Sequence, residues 1–350
     1  MTGGGATANA RTATRTELPA RYVIGAALVV SAVAAALAGT TFTAADPIPG
    51  LPQPDTAVRL GLPVVRVLID VAALVTVGLS LLPKLIGFER PDLSEPVLNG
   101  ARRAAVATAF AWATCTLAAL VLQVAELHPG SAPTPGQVVD YVLQVGAGKG
   151  LLLTAVCALV YAWVASLAVR HGEKVPVELR IGIAMFGMLP IPTTGHAVTG
   201  SWHDYTMLAM ELHVLGSAAW TGGLAVMVAL LSTRRTLLAM AIPRFSRLAA
   251  ICLVTVGASG TLNSLVTISL TPGAELPGAL LTTGYGQLAV LKLVLIVMLA
   301  GLGGHIRFRL MPLIAQHRRT ALLGWATVEV AVMGLSFGLG VVLSRIPVLS

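Results

Sequence analysis

Charge is scarce in this chain. Only 11% of its 350 residues are Asp, Glu, Lys or Arg, whereas a soluble domain carries roughly a quarter. A water-soluble protein of this length is therefore excluded, because two ordinary cores would need far more polar cover. Cysteine is nearly absent too. Cys115, Cys157 and Cys252 lie in three different apolar segments with no CxxC spacing, which implies no disulfide framework and no zinc site and reads as small buried apolar side chains. Nucleotide motifs are missing: GAGKG at 146–150 lacks the Walker spacing and sits in an apolar run, so the chain is not expected to hydrolyse ATP itself. No HExxH or Ser-His-Asp pattern argues for hydrolysis, and no enzymatic activity is expected. The net charge of +8 does not point to nucleic acid, since the basic residues fall in short clusters between apolar segments, where topogenesis and anionic lipid explain them.

What the chain has in abundance is apolar sequence, 56% of residues with a mean hydropathy of +0.84. A helix needs about 20 apolar residues to cross the roughly 30 Å hydrocarbon layer. Nine segments qualify, at 22–45, 62–86, 104–125, 144–169, 180–198, 205–231, 246–270, 286–303 and 320–343. With no water to satisfy the backbone inside a bilayer, these are helices, and the expected fold is all-α, a polytopic membrane helical bundle. Residues 1–20 read as a disordered cytoplasmic tail. The run from Tyr22 to Ala45 is longer than a signal-peptide core and reads as an uncleaved first span. Lys and Arg concentrate in alternate loops, which hold 18 of the 23; this predicts the N-terminus inside and the C-terminus outside. The outward loops, rich in Pro and Gly, read as short caps. The loop at 170–180 marks a soft boundary between a four-helix front half, 21–180, and a five-helix back half, 181–350.

The ionisable residues that do occur inside apolar sequence are costly and therefore functional candidates. They gather at 195–223, GHAVTGSWHDYTMLAMELHVLGSAAWTGG, which the loop count places at the outer face. On a helix His203, Met207 and Met210 share one stripe at i, i+4 and i+7. Imidazole with thioether is a donor set that copper favours; two methionines on one face also serve as core filler. His196 follows Pro190 and Pro192, which should break the fifth segment and leave irregular backbone lining a cavity, or simply begin a loop. His213 lies about 15 Å deeper than His203 on a different face, so it reads as a second station. Depth counting sets Glu211 level with Lys292 as a candidate pair, and adds Asn263 and Asp70 to one polar layer. Arg66 and Asp70, at i and i+4, also satisfy each other. Glu329 is buried in the last span without an obvious partner, while His305 and His317 read as interfacial. Gly334 and Gly338 form a GxxxG in the last span, read as close packing within the bundle rather than a dimer seam.

The back half resembles the copper resistance protein D family, CopD. The features that carry it are RFSRLA at 244–249, GASGTLNSL with Asn263, TTGYGQLAVLKL at 282–293 and ATVEVAVMGL at 326–335, preceded by HVLGSAAWTGGL at 213–224. The resemblance implies a bacterial cytoplasmic-membrane protein that moves copper from the outer side toward the cytoplasm, working with a separate soluble CopC-like copper-binding protein. Similar chains are fused to a cytochrome oxidase assembly module, so such an assembly protein is a second implied partner, and membrane lipid is the solvent. The family motifs match Asn263, Tyr285, Lys292 and Glu329 without giving them a metal role, and His305 stands where Asn or an aromatic residue is expected. Two other readings stay open: a haem-binding membrane cytochrome, and a copper-holding assembly factor for a respiratory oxidase.

Overall fold

A computed structural model describes residues 19–44, 52–190, 203–315 and 321–346, with the backbone alone at His203, Ile314 and Ala315. Twelve helices follow in order: α1 Ala20–Phe42, α2 Thr56–Ile86, α3 Pro91–Leu127, α4 Pro135–Gln144, α5 Gly146–His171, α6 Val177–Phe186, α7 His203–Leu231, α8 Arg235–Ser269, α9 Ala279–Thr282, α10 Gly284–His305, α11 Met311–Ala315 and α12 Leu322–Leu343. No strand occurs among the described residues. Eight of the helices are long and apolar enough to cross a membrane, so the protein is an all-α polytopic membrane bundle.

The fifth expected span is where sequence and structure differ. Instead of a continuous helix over 180–198, α6 stops at Phe186 and a turn leads to Pro190, as the prolines demand; the rest of that segment lies outside the described residues. The chain nevertheless changes ends there. Lys84, in the last turn of α2, pairs with Glu178 at the start of α6. Arg244, near the start of α8, bonds the carbonyls of Leu85 and Ile86 at that same end of α2. Asn263, near the finish of α8, meets the first turns of α7 at the opposite end. Among the described residues eight long helices run between these two ends. We call the end with Lys84 and Arg244 the inner end and the other the outer end; which faces the cytoplasm rests on the charge count.

Several helices outrun their apolar windows. At 37 residues, α3 is about 55 Å long, and its first turns, begun by Pro91 and Asp92, carry Arg102 to a bidentate bond with Glu95 and a second bond to Glu173 after α5. Pro and an acid suit the first turn of a helix. The outward loop expected at 127–138 includes the start of α4, whose Thr134 and Gln137 form a reciprocal capping box, the T-x-x-Q signal of a helix start.

The centre of the bundle is made by α1, α2, α7 and α12, which all pack on one another; α3, α5 and α6 flank one side, α8 and α10 the other. The central contacts are made by glycine. A methyl group at Gly222 of α7 would fall on the carbonyl oxygen of Leu74 in α2, and one at Gly78 on the carbonyl of Gly222. Gly334 and Gly338 of α12 press against Leu28, Ser31 and Ala32 of α1, the Gly338 position standing 2.7 Å from Ala35 Cβ. The GxxxG of the last span thus packs within the bundle, as expected, with α1 and α12 running parallel. In lipid there is no hydrophobic gain from such contacts, so close backbone approach and dispersion supply the attraction. The three cysteines are free.

Candidate functional site

Helix α7 carries most of the candidate residues, and its register decides which of them meet. It is helical from His203 onward, so Met207 and Met210 keep their i+4 and i+7 places; both are half-buried. The His203 side chain and all of His196 lie outside the described residues. Asn263 of α8 braces this end. With its amide oriented to satisfy both neighbours, Nδ2 donates to the Thr206 carbonyl at 3.0 Å and Oδ1 accepts from the Met210 N–H at 3.2 Å. Those are the two groups of one α-helical i→i−4 step, so Asn263 clamps the α7 backbone beside Met210.

One turn deeper, His213 is fixed against α8. Its Nδ1 lies 3.1 Å from the Val256 carbonyl and 3.3 Å from Ser259 Oγ, and the ring sits against Gly260, where a methyl group would stand 2.9 Å from Cε1. A carbonyl oxygen only accepts, so Nδ1 carries the proton and the neutral ring presents a bare lone pair at Nε2. A histidine whose second nitrogen is tied to a carbonyl is the arrangement that orients imidazole toward a metal or a proton. Thr206, Met210, His213 and Trp220 fall within an arc of about 80° on a helical wheel, so one broad stripe of α7 runs from the outer end to the inner half.

Opposite that stripe, α10 and α12 form an antiparallel seam whose register two glycines report. Lys292 Nζ would be 3.3 Å from a methyl group at Gly340, and Glu329 Oε1 3.7 Å from one at Gly303. Lys292 and Gly303 are eleven residues apart on α10, as are Glu329 and Gly340 on α12. Lys292 and Glu329 therefore stand at opposite ends of the same face, roughly 16 Å apart. The charge of Lys292 acts on His213 and on Asp70 of α2, which also interacts with Arg66.

The expected pairing of Glu211 with Lys292 is not among the ion pairs of the described residues, and Lys292 has Asp70 as its counter-charge instead. The reason is rotation. Glu211 is two residues from His213, about 160° round the helix, and shares the α7 face that packs on α2 at Gly222. Glu329 is enclosed, with 3% of its surface exposed, and its carboxyl faces the Trp220 indole, whose Nε1–H is buried and lacks a bond of normal geometry. Sequence reading passed over Trp220; its i+7 spacing from His213 was the available signal.

Among the described residues no three His, Cys, Asp or Glu side chains gather as a metal cluster. The donors that remain on α7 lie at successive depths, Met207 and Met210 near the outer end and His213 Nε2 below them, with Met207 about 120° round the helix from His213.

Two family models match the chain: "Copper resistance protein D" over residues 239–343 and "Copper resistance protein D-like, N-terminal domain" over residues 55–204. Comparison with curated proteins and with solved structures finds no match.

Proposed function

The chain belongs to the copper resistance protein D family, and from that premise we propose that it carries copper across the bacterial cytoplasmic membrane, inward from the outer end. Copper is the cargo. His196, His203, Met207 and Met210 capture it at the outer mouth, and His213 receives it through Nε2. The observation that carries this reading is the bond from His213 Nδ1 to the Val256 carbonyl, which leaves one bare imidazole nitrogen on the same α7 stripe as Met210. Glu211 lies about 160° round α7 from His213, off the stripe that carries His213. Thioether sulfur at Met207 and Met210 prefers the softer monovalent ion, so the path takes Cu(I). Delivery by a CopC-like copper-binding protein at the outer face, or onward supply to an oxidase assembly protein, fits the same direction of flow.

Flux into proteoliposomes, with Cu(I) and Cu(II) supplied separately, tests the reading. Cu(I) should accumulate, and Met210→Ala and His213→Ala should each lower the rate by an order of magnitude or more. Uptake unchanged in both variants removes these residues from the mechanism; copper bound in detergent without any flux favours the assembly-factor reading. The cytochrome reading has less support, because bis-imidazole ligation needs two deep histidines on facing helices. Among the described residues, His128 caps α3, His171 and His305 end their helices, and His213 alone is deep.

A further inference from the structure

Glu329 has no part in the path as far as His213, and its surroundings ask for a cation. It is the only carboxyl among the described residues that is fully enclosed, and it makes no ion pair and accepts no hydrogen bond from a charged group there. Every element around it supplies titratable groups that stop short. From α10 come His305 and Lys292, the latter held at Gly340. His213 of α7 is two turns above Trp220, and Asp70 and Lys84 of α2 have partners elsewhere. Arg307 and Arg309 follow α10 in a short π-turn, Arg307 bonding the Ser246 carbonyl. α1 brings only Arg21, at its start. None of them acts on the Glu329 carboxyl.

An unpaired carboxylate in such a place is costly, so the group is met either by a metal ion or by a proton. A metal ion would find one hard oxygen donor and little else. Gly303 offers no side chain, and the Trp220 Nε1–H is a hydrogen-bond donor that faces a cation with its positive end. Copper in particular wants nitrogen or sulfur. A proton needs a single lone pair, and the neutral acid still offers its C=O to Trp220. A second titratable group lies on the inner side. Trp325, one turn nearer the inner end of α12, stacks on His305 with ring centroids 4.3 Å apart, which puts a titratable imidazole between Glu329 and the inner face.

We propose that Glu329 is a proton-binding residue of the transport cycle. It holds a proton at rest, releases it toward the inner face by way of His305 when a copper ion enters the seam between α7, α10 and α12, and takes one back when the ion has left. The step is a transfer from the Glu329 carboxyl oxygen to the His305 imidazole and then to solvent; no electrons move. The proposal rests on the copper-transport reading, and the experiment separates the two.

Full-length protein in proteoliposomes is given Cu(I) while metal uptake and proton release are followed together, and infrared difference spectra of the copper-free protein are recorded for wild type and Glu329→Gln. Wild type should release protons as copper enters, Glu329→Gln should not, and Glu329→Asp should restore release. The spectra should differ by one protonated-carboxyl band. Copper uptake without proton release in wild type overturns the proposal and leaves the transport reading standing. Absence of copper uptake in wild type overturns the transport reading, and the proton site is then decided by the spectra alone: no carboxyl band lost in Glu329→Gln sinks it. A Glu329→Gln protein that fails to fold leaves Glu329→Asp and the pH titration of the wild-type band to decide, and a band that persists unchanged through alkaline pH at the inner face also sinks it.

Discussion

Two neighbouring glycines of α7 make a controlled test of how closely the central helices approach. Gly222 faces the backbone of α2, where an added Cβ would fall on the Leu74 carbonyl oxygen and stand 2.8 Å from its carbonyl carbon. Relaxed carbon–carbon contacts need about 3.5–4.0 Å, so α2 and α7 must part by roughly 1 Å along their crossing. No side chain can rotate to absorb that, which sets the overpacking cost at the upper end of its usual range, about 3 kcal/mol. Alanine recovers about 1 kcal/mol of helix propensity, leaving Gly222→Ala destabilised by about 2 kcal/mol. Gly223 faces the Phe245 ring instead, at 3.1 and 3.4 Å. A ring can tilt by a few tenths of an ångström, so the same substitution there should come out near zero. Equilibrium unfolding in mixed micelles, read by tryptophan fluorescence, measures both. Copper flux should fall with Gly222→Ala as well, because parting α7 from α2 shifts Asp70 relative to the path. Equal unfolding midpoints for the two variants would refute a backbone-to-backbone crossing.

Other consequences follow from single contacts. Gly338→Leu should prevent α1 from docking, since even a methyl group there meets Ala35 Cβ at 2.7 Å and Ala36 N at 2.8 Å; protease sensitivity at the N-terminal end of the purified protein checks it. Ser259→Ala should leave copper flux within about twofold of wild type, the scale of one weak hydrogen bond, because the Val256 carbonyl still holds His213 Nδ1; a loss as large as that of His213→Ala would mean that the hydroxyl sets the ring. At the inner end, Glu89 between α2 and α3 is held below the usual carboxylate range by its own backbone N–H and by the Arg244 guanidinium. Its folded pKa is the lower one. Its stabilising effect is therefore complete above the unfolded value of about 4.3 and disappears as pH falls through the folded value. Thermal unfolding of wild type should lose stability over that acid range, and Glu89→Gln should lose less; parallel pH profiles would show that the contact contributes nothing.

The sequence by itself determined the class, the spans and the chemistry on offer. An 11% charge content forced the chain into a membrane, hydropathy placed eight long helices within a few residues along most of their length, and the spacing of His203, Met207 and Met210 needed only the pitch of a helix. The resemblance in the back half pointed to copper before any geometry was known, and the prolines after α6 predicted the break. Helix ends at α3 and α8 were not legible, because their first turns are polar and hydropathy responds to apolar length alone. Partnership was beyond reach for a deeper reason. Counting residues gives depth along a helix, but which way a side chain faces depends on the neighbour that the helix packs against. Counting sets Glu211 and Lys292 level, yet Glu211 stands about 160° round α7 from His213, and it is Asp70 of α2 that acts on Lys292. In the same way a glycine at 303 and another at 340 set the register of α10 on α12, and that register, a property of two helices together, is what leaves Glu329 enclosed beside Trp220.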